Sequence, residues 1–362
     1  MKIKQGLDAF RIPAALLVIA IHTSPLASFS RTADFLLTRV AARVAVPFFL
    51  MVTGFFLLPG ITGPKAPEAS ASEASRRLFR QIGRLLFIYL LSILLYLPLN
   101  LYAGQLSRLT IPGLLRMIFF DGTFYHLWYL PAAAEGILLV YLLSRFFTFR
   151  GCLAICSLLY LTGLGGDSYW GLISRYALPS AFYQGIFSFC DYTRNGIFFA
   201  PLFLCLGWLL ARRNLAAVFR SGRFRRIFSG GFFLFFLFLM AAEALFLRQA
   251  GWMRHDSMYL MLPPCMVFLF LWLLEYPEKA AHGQRTQRHP SRSLSLILYI
   301  IHPWMIVLVR GAARFLGLEQ FLVNQSLIHY LAVASGSCLL GVMIWKLQWI
   351  LHHTKTASRK LI

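Results

Sequence analysis

The chain has 362 residues, of which 59% are hydrophobic and only 13% are charged, so it is too apolar for a water-soluble domain and is predicted to be an integral membrane protein. A formal net charge of +22 could suggest nucleic-acid binding, but the basic residues lie in short gaps between apolar runs, as the positive-inside rule places them. We therefore expect no nucleic-acid partner. The six cysteines show no zinc-ligand spacing, so no metal is expected either.

The apolar runs predict an all-α fold, a polytopic membrane helix bundle of about ten transmembrane helices. The predicted spans are residues 10–29, 36–58, 82–101, 126–144, 151–165, 196–211, 229–247, 257–275, 294–311 and 327–350. Of the 35 lysines and arginines, 23 fall on the side of the N-terminus and 11 on the other, with Arg11 inside the first span. This asymmetry predicts that both termini are cytoplasmic. We expect a single membrane domain over residues 1–354, followed by a short basic tail, 355–362.

The first predicted span contains two ionisable residues, Arg11 and His22, separated by ten apolar or small residues. On a helix these positions lie on one face, about 16 Å apart along the axis. An arginine in a membrane helix needs a charged partner or a water-filled cavity. Asp8, three residues before Arg11, is the predicted partner. This face of the helix is therefore predicted not to face lipid.

Arginines lead into the third span at three- and four-residue intervals, at Arg76, Arg77, Arg80 and Arg84. Most of them fall on one helix face. Two interpretations remain open. The arginines can attract anionic membrane lipid, or they can hold a phosphorylated ligand bidentately. For a second basic run, between residues 212 and 226, attraction to anionic lipid is the favoured interpretation.

The opposite side of the predicted bundle also carries polar and aromatic residues. Arg39 and Arg43 lie four residues apart in the second span, and His126 and Trp128 open the fourth. Trp128 has two possible roles. It either contacts the substrate or belongs to the belt of aromatic residues that is typical of a membrane interface.

The ninth span contains a polar stripe of Ser295, Tyr299 and His302 in an otherwise apolar helix. Their spacing places them on one helix face, which is expected to point into the bundle. The stripe is either a hydrogen-bond network that fixes helix packing or part of the lining of a substrate cavity.

Five features together resemble the acyltransferase-3 family of integral membrane proteins, and within it the membrane domain of vancomycin-resistance serine racemases. The features are Asp8-Ala-Phe-Arg11 with His22 after ten residues, Arg43-Val-Ala-Val-Pro-Phe-Phe-Leu-Met-Val-Thr-Gly54, the arginine-rich segment from Arg76 to Arg84, His126-Leu-Trp128, and Ser295-xxx-Tyr299-xx-His302. The Arg-to-His spacing is the most specific of the five, and the resemblance covers nearly the whole chain.

The resemblance implies a fold of ten spans with cytoplasmic termini, in the bacterial cytoplasmic (inner) membrane. It implies an enzyme, an acyltransferase that moves groups other than aminoacyl groups from cytoplasmic acyl-CoA, expected to be acetyl-CoA, to a hydroxyl of a cell-envelope glycan or similar acceptor. His22 would be the catalytic base and Arg11 a contact for the acyl-CoA phosphates. We expect Arg77, Arg80 and Arg84 to add further cofactor contacts. The expected substrate-binding residues are Arg43, His126, Trp128, Ser295, Tyr299 and His302.

Two features depart from the family pattern. The paired basic motif Arg-x-x-Arg occurs as Arg77-x-x-Arg80, but Arg80 and Arg84 are four residues apart, so the register of the motif is open. The other departure lies in span four. Many members resemble one another in a glutamate five residues after the span-four tryptophan, where this chain has Ala133, and Glu135 lies two residues further on. Glu135, Asp121 and Glu243 are the acids that we consider as partners of His22. Because the racemase branch is associated with amino-acid uptake, the alternatives to acylation are a transporter of a small amino acid such as serine and a non-catalytic envelope partner.

Overall fold

The computed structural model describes residues 5–62, 68–105, 110–212, 222–276 and 290–358, and these ranges contain helices and turns but no β-strand. Within the described residues, eight helical segments are long and apolar enough to cross a membrane, and one of them is the continuous stretch Arg31–Gly60, which comprises several shorter helical elements. Two shorter apolar helices, Ala200–Arg212 and Leu262–Leu274, occupy the positions of the sixth and eighth predicted spans. The predicted all-α membrane bundle is therefore confirmed, whereas the orientation of the termini stays a prediction. Most of the second basic run, residues 213–221, lies outside the described residues.

The helices are α1 Gln5–Thr23, α2 Arg31–Phe35, α3 Ala45–Leu57, α4 Glu68–Tyr102, α5 Ile111–Arg116, α6 Tyr129–Phe146, α7 Phe149–Gly166, α8 Trp170–Ile173, α9 Ala177–Phe189, α10 Ala200–Arg212, α11 Gly222–Gln249, α12 Leu262–Leu274, α13 Pro290–Phe315, α14 Glu319–Leu322 and α15 Ser326–Ser358. Two π-helical segments, Leu36–Val40 and Met117–Asp121, and a 3₁₀ segment, Ala41–Val44, join some of them.

The chain divides into two compact units. We call Met1–Ala45 with Trp272–Ile362 the terminal unit, and Val46–Leu271 the central unit. The expected single domain over residues 1–354, with a tail from residue 355, stays a prediction.

Helix α1 starts and ends about five residues earlier than the apolar run predicted. It ends at Thr23 because Ser24 adopts a positive φ of 49°, which a helix cannot continue through. Pro25 follows directly, and a proline disfavours helical conformation in the residue before it. His22 therefore lies in the last turn of α1 rather than in the middle of a span.

The core of the terminal unit lies where α1, α13 and α15 meet, at Ile19, Ile306, Val333 and Ala334. Helices α13 and α15 run antiparallel, since the residues that meet follow opposite orders along the two helices. A Cβ added at Gly341 would contact Leu294, and one added at Gly336 would contact Met305. The absence of a side chain at these two glycines lets the helices approach closely.

Hydrogen bonds of serine hydroxyls connect the loop after α1 to the start of α15. Ser326 Oγ donates to the Pro25 carbonyl at 2.8 Å and lies 2.7 Å from Ser28 Oγ. The Ser28 backbone N–H donates back to Ser326 Oγ at 3.1 Å. These contacts satisfy backbone groups of the loop that follows α1.

Helix α10 is the buried centre of the central unit, with nearly all its side chains shielded. Its backbone meets that of α3 at two reciprocal points. A Cβ at Gly54 would overlap the Leu204 carbonyl, and a Cβ at Gly207 would overlap the Met51 carbonyl. Only glycine fits at these two crossing points, as in closely packed membrane helices.

Candidate functional site

In the terminal unit, one buried carboxylate joins two arginines from two different helices. Asp8 Oδ1 accepts from Arg11 Nε at 2.9 Å and from Arg292 Nε at 3.2 Å, and Asp8 Oδ2 accepts from Arg292 Nη2 at 3.4 Å. The exposed fraction is 5% for the Asp8 side chain, 12% for Arg11 and 48% for Arg292. The predicted pairing of Asp8 with Arg11 is confirmed. We call these three residues the arginine cluster.

Two histidine rings from the same two helices stack on each other. The ring centroids of His22 and His302 are 5.4 Å apart and their planes differ by 24°. His302 is fully buried, and its Nδ1 lies 3.1 Å from the Leu298 carbonyl and 2.9 Å from the Tyr299 carbonyl. Because carbonyl oxygens only accept, Nδ1 must carry the hydrogen, so that in the neutral ring Nε2 is the acceptor. We call His22 and His302 the imidazole pair.

These two contacts show that α1 and α13 run parallel. The arginine cluster joins the N-terminal parts of both helices, and the imidazole pair joins positions further along each. From Arg11 to His22 the distance along α1 is about 16 Å. The helix pair thus has a cationic cluster towards its N-terminal end and imidazoles about 15 Å further along, and the side chains of both groups contact partners within the unit.

The other predicted residues of the terminal unit are also shielded, but their contacts differ. Ser295 is buried and donates to the Arg292 carbonyl of its own helix at 3.2 Å, so its burial needs no substrate contact to explain it. Tyr299 is half-buried, and Arg43 is buried in the 3₁₀ segment before α3.

In the central unit, the arginines at the start of α4 point outward. Arg77, Arg80 and Arg84 are exposed, and Arg77 Nη2 donates to exposed Glu73 at 2.5 Å. Phe79, beside them, is also exposed. Exposed arginines next to an exposed aromatic ring are typical of a helix at the level of lipid headgroups, which is one of the two open interpretations of this segment.

His126 and Trp128 lie just before α6 and are both buried. The His126 ring lies in an aromatic cluster with Tyr96, at a centroid distance of 5.0 Å. The Arg194 guanidinium lies 5.1 Å from the centre of the Trp128 ring, and Arg194 Nη1 donates to Ser257 Oγ at 3.2 Å. Because Trp128 is shielded in this way, it does not belong to a lipid-facing aromatic belt.

Loops of the central unit form an ion-pair network that the sequence did not indicate. Asp121 accepts from Arg116 Nε at 2.6 Å and from the backbone N–H of Asp191 at 3.0 Å. Arg254 Nη2 lies 2.6 Å from Asp191 Oδ1. Burial, reinforced by the charge of Arg254, lowers the pKa of neighbouring His255. The network joins the loops that precede α6, α10 and α12.

Asp167, directly after α7, is a fully buried carboxyl in the same region. Its Oδ1 accepts from the backbone N–H groups of Ser257 at 2.8 Å and Met258 at 3.0 Å, and from Ser168 Oγ at 3.0 Å. Within the described residues, its Oδ2 has no hydrogen-bond partner. Burial raises the pKa of Asp167 to about 6, although these backbone bonds and the charge of Arg194 oppose the shift.

The three acids that we considered for His22 all belong to the central unit, and two have clear partners there. Asp121 is in the network above, and Glu243 accepts from the backbone N–H groups of Leu260 and Met261 at 2.6 and 2.9 Å. Glu135 packs against Gly196, and its buried Oε2 has no hydrogen-bond partner among the described residues. No group of three metal-ligating side chains occurs in the described ranges.

Comparison with known proteins gives a family for this chain. The family described as "Acyltransferase domain" matches residues 4–346. An amino-acid racemase of Enterococcus faecalis is 40% identical over 346 residues, which is 95% of this chain and 46% of that protein. A serine/alanine racemase of Enterococcus gallinarum is 37% identical over 330 residues, which is 91% of this chain and 44% of that protein. The chain thus spans less than half the length of these relatives.

No solved structure matches the chain. The family match nevertheless covers nearly the whole sequence, as the five sequence features suggested, and it agrees with a bundle of apolar helices. This protein is a multi-pass membrane protein that belongs to the acyltransferase-3 family.

Proposed function

We propose that this protein transfers an acyl group, expected to be acetyl, from cytoplasmic acyl-CoA to a hydroxyl of a cell-envelope glycan or similar acceptor, across the bacterial cytoplasmic membrane. One observation carries the proposal. The parallel helices α1 and α13 share a cationic cluster at one end and an imidazole pair nearer the other. This arrangement suits an elongated donor with an anionic head and a reactive thioester at its far end.

The donor would bind with its phosphates at Arg11. A guanidinium presents several N–H donors in a planar fork that matches phosphate oxygens, so Arg11 suits this role. The pantetheine arm would then extend along α1 towards His22, about 16 Å away. Exposed Arg77, Arg80 and Arg84 remain proposed as further phosphate contacts.

His22 would act as the base in a direct transfer. Its imidazole would take the proton of the acceptor hydroxyl as the hydroxyl oxygen attacks the thioester carbonyl. An ester C–O bond forms, the thioester C–S bond breaks, and the imidazolium returns the proton to the sulfur of CoA. Imidazole suits this exchange near neutral pH. A backbone N–H or an arginine must stabilise the oxyanion in the transition state.

The acceptor would lie on the extracytoplasmic side. Arg43 and Trp128 are proposed to contact it, with His126, Ser295, Tyr299 and His302 as further substrate-binding residues. The acceptor hydroxyl must come within hydrogen-bond distance of the imidazole that takes its proton.

The experiment is transfer of radiolabelled acetyl from acetyl-CoA to envelope glycan in inverted membrane vesicles. His22→Ala should lower the rate by about 10²- to 10⁴-fold, the usual contribution of a general base. His329→Ala, which changes a buried histidine of the same unit to which we assign no role, is the matched control and should keep most of the activity. Full labelling with His22→Ala would refute the mechanism, and no labelling with the wild-type protein would refute the function.

Transport of a small amino acid is the second candidate. It is favoured by the names of the relatives, which are an amino-acid racemase and a serine/alanine racemase. In this case the guanidiniums of Arg11 and Arg43 would bind the substrate carboxylate. Proteoliposomes that show no saturable uptake of serine or alanine would exclude this candidate.

A further inference from the structure

The arginine cluster contains one residue to which neither the sequence nor the proposed function assigns a role. Arg292 contacts Asp8 through both Nε and Nη2, although 284 residues separate them in sequence. Its side chain is 48% exposed, whereas Asp8 and Arg11 are nearly buried. Arg292 is therefore the member of the cluster that an incoming ligand can reach most easily.

The charges of the cluster favour an anion. A carboxylate that has been removed from water is stable only when it is paired and hydrogen-bonded, and here it bonds to two guanidiniums. The three side chains together carry one net positive charge. Because the Nε and Nη2 edge of Arg292 is held by Asp8, its guanidinium is already oriented before a ligand binds. An anion binding there would lose less side-chain entropy than one binding to a mobile surface arginine.

The positions along the two helices agree with a single elongated ligand. His302 lies ten positions after Arg292 on α13, which corresponds to about 15 Å, and His22 lies eleven positions after Arg11 on α1, which corresponds to about 16 Å. The cluster and the imidazole pair are thus separated by nearly the same length on both helices. A ligand anchored at the cluster would have to reach about 15 Å along either helix to meet the imidazoles.

We propose that Arg292 binds a phosphate of the acyl donor, and that Asp8 is a positioning residue that holds Arg11 and Arg292 as a pair. The inference rests on the proposed function and deepens it, since it names a second helix in the donor site. The recognised chemistry is the phosphorylated nucleotide end of acyl-CoA. The alternative is that the cluster only stabilises the packing of α1 against α13. The experiment must distinguish phosphate binding from this structural role.

The test compares two donors that differ only in the nucleotide end. Acetyl-CoA carries the phosphates, and S-acetylpantetheine lacks them. Arg292→Gln should raise KM for acetyl-CoA at least tenfold with less than a twofold change in kcat, and should leave KM for S-acetylpantetheine unchanged. Arg292→Lys should recover part of the affinity, because it keeps the charge but not the fork. Arg314→Gln, which changes another exposed arginine of the same helix, is the matched control.

A structural role alone would change the kinetics of both donors by the same factor, and that result would overturn the inference. Direct calorimetric binding of CoA to the protein in nanodiscs separates this failure from failure of the proposed function. If the wild-type protein binds CoA and Arg292→Gln binds it equally well, the inference is wrong and the function stands. If the wild-type protein does not bind CoA, the proposed function fails. Asp8→Asn should also weaken CoA binding, at least threefold, and unchanged binding would show that Asp8 has no positioning role.

Discussion

Replacing Asp167 by asparagine should remove a pH-dependent contribution to the stability of the central unit. The pKa of this buried carboxyl is raised from 3.8 to about 6 in the folded protein. Between these two pH values the folded state holds the proton more tightly than the unfolded state, so stability falls as pH rises through that window. At 1.36 kcal/mol per pKa unit, the loss of stability is about 3 kcal/mol in total.

Asparagine keeps the oxygen atom of this side chain that accepts the backbone hydrogen bonds. Its Oδ1 can still accept from the backbone N–H groups that Asp167 Oδ1 binds, and it carries no charge at any pH. Asp167→Asn should therefore gain stability relative to the wild-type protein as pH rises from about 4 to about 6. His255, whose lowered pKa makes stability fall as pH decreases below about 6.5, is present in both proteins, and its effect cancels in the difference.

The assay is the apparent melting temperature of detergent-solubilised protein, measured for both proteins at intervals from pH 4.5 to 7.5. Asp167→Ala is the comparison variant. It leaves the backbone donors of Ser257 and Met258 without an acceptor, so it should lose about 1 to 3 kcal/mol per donor at neutral pH. If the difference in melting temperature between Asp167→Asn and wild type stays constant over this pH range, the reasoning is refuted. The carboxyl would then have the same pKa in the folded and the unfolded protein.

Four further substitutions test the packing within each unit and the role of the imidazole pair. Gly54→Ala should lower the apparent melting temperature, because overpacking at the α3–α10 crossing costs about 1 to 3 kcal/mol, whereas Gly83→Ala, on a helix position with no neighbour within 4 Å, should raise it slightly. His302→Asn keeps an N–H for the backbone carbonyls but loses the Nε2 acceptor and the ring that stacks on His22, so acetyl transfer in the vesicle assay should fall about 10²-fold. Ser326→Ala removes the hydroxyl that binds Pro25 and Ser28, and thermal melts should show a loss of about 1 to 3 kcal/mol. Unchanged melting of Gly54→Ala or Ser326→Ala, or unchanged transfer by His302→Asn, would contradict the respective argument.

The pairing of Asp8 with Arg11 could be predicted because it is local. Residues three apart on a helix are neighbours, so sequence spacing is enough. The pairing of Asp8 with Arg292 could not be predicted, since it depends on how two distant helices pack. The early end of α1 did leave a signal, because Pro25 restricts the residue before it, but the apolar run continued past that proline and suggested a longer helix.

The ion-pair network of the central unit could not be predicted from the sequence for a different reason. Asp191 and Arg254 lie in loops, where no periodicity shows which side chains turn inwards, and their contact joins segments 63 residues apart. Asp167 follows a glycine pair and would ordinarily be taken for a solvated helix end, yet it is fully buried. Trp128 could be placed at the start of a span, but only the structure shows the Arg194 guanidinium against its ring.

In the terminal unit, packing and chemistry depend on the same side chains. A polar group in a membrane helix needs an internal partner, and here Asp8 bonds to an arginine of α13 while His22 stacks on the ring of His302. Deleting either side chain therefore disturbs the α1–α13 contact as well as any reaction. Loss of activity in an alanine variant cannot by itself identify a catalytic residue in this unit. Variants that preserve the contact and remove one chemical property, such as Arg292→Lys, which keeps the charge opposite Asp8 but not the guanidinium fork, separate the two roles.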